Sequence, residues 1–66
     1  MEILLNGKRR PISGSLDLAA FIARHRNSPA PVVAELNGEI IQNERWDRTV
    51  LKDGDALELI SFVGGG

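Results

Sequence analysis

Cysteine is absent from this 66-residue chain, and histidine occurs once. Without cysteine there can be no disulfide, no thiolate metal site and no cysteine-held iron–sulfur cluster. With His25 alone there is no imidazole cluster, and capping or solvation suits it better than ligation. No apolar run approaches the ~20 residues that span a bilayer. The opening Met1-Glu2-Ile3-Leu4-Leu5 lacks the basic lead and small-residue cleavage site of a secretory signal, so cytoplasmic residence is expected. An excess of one charge is missing too: 8 Lys+Arg face 9 Asp+Glu, a net charge of -1 with the signs mixed along the chain. A nucleic-acid binder needs a basic face, and the one basic cluster, Lys8-Arg9-Arg10, reads as a solvated strand edge. The glycines form no phosphate-binding loop. Asp53 and Asp55 flank a turn glycine without the remaining ligands of a calcium loop. A chain this short has a thin core and no room for a deep enclosed active site beside it.

What is present is a clear alternation of strand and turn signals. Glu2 to Leu5 reads as a short strand, Asn6-Gly7 as a two-residue hairpin turn, and Lys8 to Ile12 as the returning strand, with Pro11 marking an edge or its end. Ser15 is the expected N-cap of a helix from Leu16 to Arg26. Leu18, Phe21, Ile22 and His25 recur at helical spacing as one stripe. Asp17 sits near the positive end of the helix dipole, Arg24 and Arg26 near the negative end. Asn27 is a candidate C-cap, and Pro29 and Pro31 forbid continuation. Val32 to Leu36 is a third strand, Asn37-Gly38 a second hairpin turn, and Glu39-Ile40-Ile41 a short fourth strand. Asn43 to Arg48 is expected as an irregular or 3₁₀ turn around Trp46, which closes the open end of the core. Asp53-Gly54 is a turn, and Ala56 to Val63 the last and longest strand.

A helix between two hairpins and a long final strand makes one α+β domain over 1–66. The final strand is expected beside the first, parallel to it, because a hairpin plus helix crossover makes a right-handed return. This is a β-grasp architecture, a mixed sheet of four or five strands holding one main helix. Alternation points Ile3, Leu5, Val32, Ala34, Leu36, Leu57 and Leu59 at the helix. It leaves Leu4, Val33, Ile60 and Phe62, among Glu2, Glu35 and Glu58, on a face with no second layer. An uncovered apolar patch rimmed by charge marks an interaction surface.

The chain then ends in Gly64-Gly65-Gly66. Glycine weakens a strand interior, so residues 64–66 are expected as a slim, flexible arm tipped by the α-carboxylate of Gly66. In the absence of any catalytic constellation, that carboxylate is the best candidate for chemistry.

The opening Met-Glu-Ile-Leu-Leu-Asn-Gly, the Leu36-Asn37-Gly38-Glu39 and Leu51-Lys52-Asp53-Gly54-Asp55 turns, the ending Phe62-Val63-Gly64-Gly65-Gly66 and the short length together resemble the ThiS family, the ubiquitin-like sulfur carriers of thiamin biosynthesis. The resemblance spans the whole chain. It implies that this is a carrier and not an enzyme. It also implies that a ThiF-type enzyme, using ATP and Mg²⁺ that it binds itself, adenylates the Gly66 carboxylate. Sulfur from a donor such as a cysteine desulfurase then displaces AMP to leave a thiocarboxylate, and thiazole synthase, ThiG, takes that sulfur into the thiazole ring. Gly64, Gly65, Phe62, Val63, Ile60, Leu4 and Val33 are the implied partner contacts, and the free protein is expected to be a monomer. Three other readings stay open on the residues alone: a carrier of the kind found in the small subunit of molybdopterin synthase, a protein modifier joined to lysines, and a β-grasp binding module that is never activated.

Overall fold

A computed structural model describes residues 1–26 and 31–61. It contains five strands and one α-helix: β1 (Glu2–Leu5), β2 (Lys8–Pro11), α1 (Leu18–His25), β3 (Val32–Leu36), β4 (Glu39–Ile41) and β5 (Ala56–Ser61). One 3₁₀ helix, Asn43–Arg48, lies between β4 and β5. The sheet has the order β2-β1-β5-β3-β4. The last strand therefore occupies the centre, parallel to β1 and antiparallel to β3, as the crossover rule requires.

The two hairpins turn in two residues that both adopt positive φ, the type I′ reversal whose twist matches the flanking strands. Asn6 and Gly7 have φ of 50° and 82°, Asn37 and Gly38 of 52° and 85°. The first turn sets Leu5 opposite Lys8, and the second sets Leu36 opposite Glu39. Both β2 and β4 are thereby held as edge strands, and Pro11 ends β2 where no further ladder is needed.

Helix α1 departs from its sequence expectation at its start. Ser15 is not the cap, and Leu16 and Asp17 are not helical. Asp17 is the N-cap, in extended conformation, its Oδ1 accepting from the Ala20 N–H at 2.7 Å. The reason is a contact far along the sequence. Residues 16–18 pair with the segment after the 3₁₀ helix: the Leu51 N–H donates to the Leu16 carbonyl at 2.9 Å and the Leu18 N–H to the Thr49 carbonyl at 2.7 Å, around an Asp17–Val50 bridge. At the other end the C-cap is Arg26, whose N–H donates to the Ile22 carbonyl at 2.9 Å. The expected Asn27 cap and Pro29 lie outside the described residues.

One face of the sheet and the helix stripe enclose the core: Ile3, Leu18, Phe21, Ile22, Ala34, Ile41, Leu51 and Leu57, with Ile12 at its margin. Leu5, Leu36 and Leu59 pack against it half-buried, as the alternation predicts. Ile12 is not a strand residue. It follows β2, donates its N–H to the Met1 carbonyl at 2.7 Å and turns its side chain inward. Trp46 covers the core from the 3₁₀ helix and anchors itself by donating Nε1–H to the Ile41 carbonyl at 2.9 Å. The acidic turn residues are structural: Asp53 Oδ1 accepts from the Glu2 N–H and Asp55 Oδ2 from the Lys52 N–H, each at 2.7 Å. His25 stacks on Phe21 at 4.0 Å between ring centroids, with Nδ1 2.9 Å from the Phe21 carbonyl oxygen.

Leu57, 1% exposed in the central strand, should be the most costly single truncation: Leu57→Ala is expected to lose ~2–5 kcal/mol, and Asp17→Ala ~1 kcal/mol through the lost cap. Urea unfolding of the two variants checks the order, and a Leu57→Ala loss no larger than the cap's would contradict the packing described.

Candidate functional site: the open sheet face and the end of the central strand

Among the described residues, no layer covers the face of the sheet away from α1. Strand register assigns its members. Val33 pairs with Ile60 and Glu35 with Glu58 across β3 and β5, Leu4 with Ala56 across β1 and β5, and Glu35 with Ile40 across β3 and β4. Paired residues share a face, so Leu4, Val33, Ile60 and Ile40 lie on one surface with Glu2, Glu35 and Glu58. Leu4 is 40% exposed, Ile60 47% and Ile40 60%, while Val33 is half-buried between its neighbours. Among the described residues, nothing covers the exposed parts of these apolar side chains, which stay in contact with water at a free-energy cost.

Sequence reasoning placed Leu4, Val33 and Ile60 here and missed Ile40. The signal was available. Of two adjacent isoleucines in a strand only one can face the core, and Ile41 takes that place. Phe62, Val63, Gly64, Gly65 and Gly66 lie outside the described residues. Ser61, immediately before them, is the last residue of β5 and pairs with Val32. Ser61 also lines a cleft of about 160 Å³ whose walls include Leu5, Arg10, Ile22, His25 and Leu59.

Strand β5 is held on both flanks as far as Leu59, and on the β3 side to Ser61. On the β3 side the antiparallel ladder runs to the Val32–Ser61 pair. On the β1 side Asn6 takes over where the strand stops. Its N–H donates to the Leu57 carbonyl at 2.9 Å, and its Oδ1 accepts from the Leu59 N–H at 2.8 Å. Nothing in this arrangement is a catalytic constellation. Among the described residues no cluster of histidine or carboxylate side chains could hold a metal ion, and the acidic turn residues and His25 are taken up by the hydrogen bonds given above. The surface presents an apolar patch and a firmly held strand leading to residues 62–66.

Comparison with known proteins agrees in one direction. The ThiS family model matches residues 3–66. A thiazole synthase of Paramagnetospirillum magneticum (strain AMB-1) is 32% identical over all 66 residues, which span 20% of that protein's length. The sulfur carrier protein ThiS of Bacillus subtilis (strain 168) is 49% identical over 35 residues, 53% of either chain. The chain thus matches about a fifth of the first relative and about half of the second. The crystal structure of the thiamine biosynthesis protein ThiS from Geobacter metallireducens superposes with a TM-score of 0.83 at 39% identity, covering 100% of both chains. A solution NMR structure of a thiamine biosynthesis protein from the same organism gives 0.81 at 38% identity, over 100% of this chain and 88% of the other.

The face assignment predicts an asymmetry between neighbours. Ile60→Ser should change unfolding stability by about 0.5 kcal/mol or less, as surface substitutions do, whereas Leu59→Ser, which turns a polar group toward the core, should cost ~1–3 kcal/mol. Equal losses in chemical denaturation would mean that β5 is registered differently.

Proposed function

The chain belongs to the ThiS family, and on that premise we propose that it is a sulfur carrier of thiamin biosynthesis whose working group is the α-carboxylate of Gly66. The observation that carries this is the likeness to ThiS along the chain in both sequence and fold. A carrier needs no acid, base or metal of its own. A carboxylate is a poor electrophile because charge and resonance resist attack. Adenylation by a ThiF-type partner, with the partner's ATP and Mg²⁺, provides a leaving group, and a sulfur nucleophile then forms the C–S bond as the C–O bond to AMP breaks. The donor is a cysteine desulfurase or a related source; where it presents a persulfide, attack gives an acyl disulfide, and a thiol reductant cleaves its S–S bond, itself becoming a disulfide, to leave the thiocarboxylate. The product, a terminal thiocarboxylate, passes its sulfur to thiazole synthase, ThiG. The likeness of the whole chain to part of a thiazole synthase supports that acceptor.

Glycine suits the task. Lacking Cβ, Gly65 and Gly66 can thread a narrow channel and adopt any φ. Three residues reach about 10 Å when extended, enough to carry the carboxylate beyond the globular body. Leu4, Val33 and Ile60, with Phe62, Val63 and Gly64, supply the contact with the partners. A carrier must leave each partner after one turn, so modest affinity and a monomeric free protein are expected.

The test is activation by a ThiF-type enzyme, followed as ATP–pyrophosphate exchange dependent on this chain. Gly66→Ala should retain the melting curve of the native protein and slow exchange by ~10²-fold, the order of loss that a misplacement of about 1 Å produces at a reacting centre. Unchanged exchange in that variant would remove Gly66 from its assigned role. Ile60→Asp should raise KM for the carrier with little change in kcat, because it weakens docking and leaves the reacting group untouched.

A further inference from the structure

We infer that Asn6 is a positioning residue for the reactive end of the chain: its side-chain amide takes the place of a peptide group and extends the β1–β5 ladder past the point where β1 turns away. The register shows the substitution. The Leu4 N–H donates to the Asp55 carbonyl at 2.8 Å and the Asn6 N–H to the Leu57 carbonyl at 2.9 Å. In an uninterrupted parallel ladder the next bond runs from the Leu59 N–H to the backbone carbonyl of Asn6, and the one after returns from residue 8 to the Leu59 carbonyl. Asn6 has φ of 50° and belongs to the hairpin turn, so its backbone has left the ladder. Its Oδ1 accepts from the Leu59 N–H at 2.8 Å instead, and its Nδ2 donates to the Leu59 carbonyl at 3.4 Å. One side chain supplies both the acceptor and the donor of the missing rungs.

Asparagine is the side chain fitted to this. It tolerates positive φ, its amide offers the same donor and acceptor as a peptide, and glutamine would place that amide one methylene too far. The same device recurs at the other end of β5. The Asn37 N–H donates to the Ala56 carbonyl at 2.8 Å, and Asn37 Oδ1, not its backbone carbonyl, accepts from the Ala56 N–H at 2.9 Å. The two turn asparagines thus secure the central strand at its first residue, Ala56, and at Leu59. Of the two, Asn6 holds the strand nearer to the end from which residues 62–66 continue. Its clamp holds the Leu59 peptide, two residues before Ser61, and so fixes the base from which a partner takes up residues 62–66.

This inference rests on the carrier reading above, and the experiment separates the two. Leu59 amide exchange is measured by NMR, and activation by the ATP-dependent adenylating enzyme by steady-state kinetics, for the native protein, Asn6→Gly, Asn6→Asp and Asn37→Gly. Asn6→Gly keeps a residue suited to positive φ and deletes the clamp. It should speed Leu59 exchange about tenfold, the loss expected of one net hydrogen bond, and raise KM about fivefold with kcat within about twofold. Asn6→Asp keeps the shorter, accepting contact and should recover most of both, and it carries the test if Asn6→Gly does not fold. Asn37→Gly removes the matching amide at the opposite end and should leave KM unchanged. Native-like Leu59 exchange in Asn6→Gly, an unchanged KM, or an equal rise in KM for Asn37→Gly would each overturn the positioning role. Failure of the native protein to be activated at all would instead overturn the carrier reading, and the inference with it.

Discussion

Everything in this small fold depends on the pairing of its last strand with its first. β5 enters the middle of the sheet, parallel to β1 and antiparallel to β3, so its backbone is bonded on both flanks and its inward residue Leu57 reaches the centre of the core. Without that insertion the N-terminal hairpin and the β3–β4 hairpin are two separate ribbons, each too small to be stable in water. The helix would then have no continuous surface to cover. The parallel pairing closes the chain on itself, and the remaining contacts follow from it.

The same constraint organises the functional reading. A carrier that hands its end to other proteins needs a rigid body up to a defined point and free reach beyond it. Placing the departing segment after the central strand, and not after an edge strand, gives the firmest base that so short a chain provides. The open face beside it carries apolar side chains among carboxylates, a surface suited to repeated docking because it combines desolvation gain at the centre with a charged, wet rim. On the proposed reading the chemistry is delegated: the chain would contribute an electrophile's precursor and its delivery, and its partners acid, base, metal and nucleotide.

Much of this was legible in the residues. Two Asn-Gly pairs fixed both hairpins and their registers, and strict alternation in Val32–Leu36 and Ala56–Ser61 sorted inner from outer faces correctly. Of the irregular or 3₁₀ turn expected around Trp46, the 3₁₀ form is the one found, over Asn43–Arg48. What failed shares one cause. Ser15 is a good local cap, but Leu16 and Leu18 bond with Leu51 and Thr49, and that distant segment draws the chain into an extended form and passes the cap to Asp17. Leu51 joins the core through the same connection, and Ile12 through its bond to Met1 just past the end of β2, both outside any periodic element. The second roles of Asn6 and Asn37 were equally invisible, since a turn signal explains each asparagine completely until the partner strand is in place.

The most direct test of the account is intact mass spectrometry of the protein purified from cells that make its partners, with fragmentation to locate any change. The account predicts a species in which one oxygen of the Gly66 carboxylate is replaced by sulfur. A Gly66 carboxylate left unmodified, under conditions where a known sulfur carrier is converted, would contradict it and leave the open sheet face as the functional surface of a binding module.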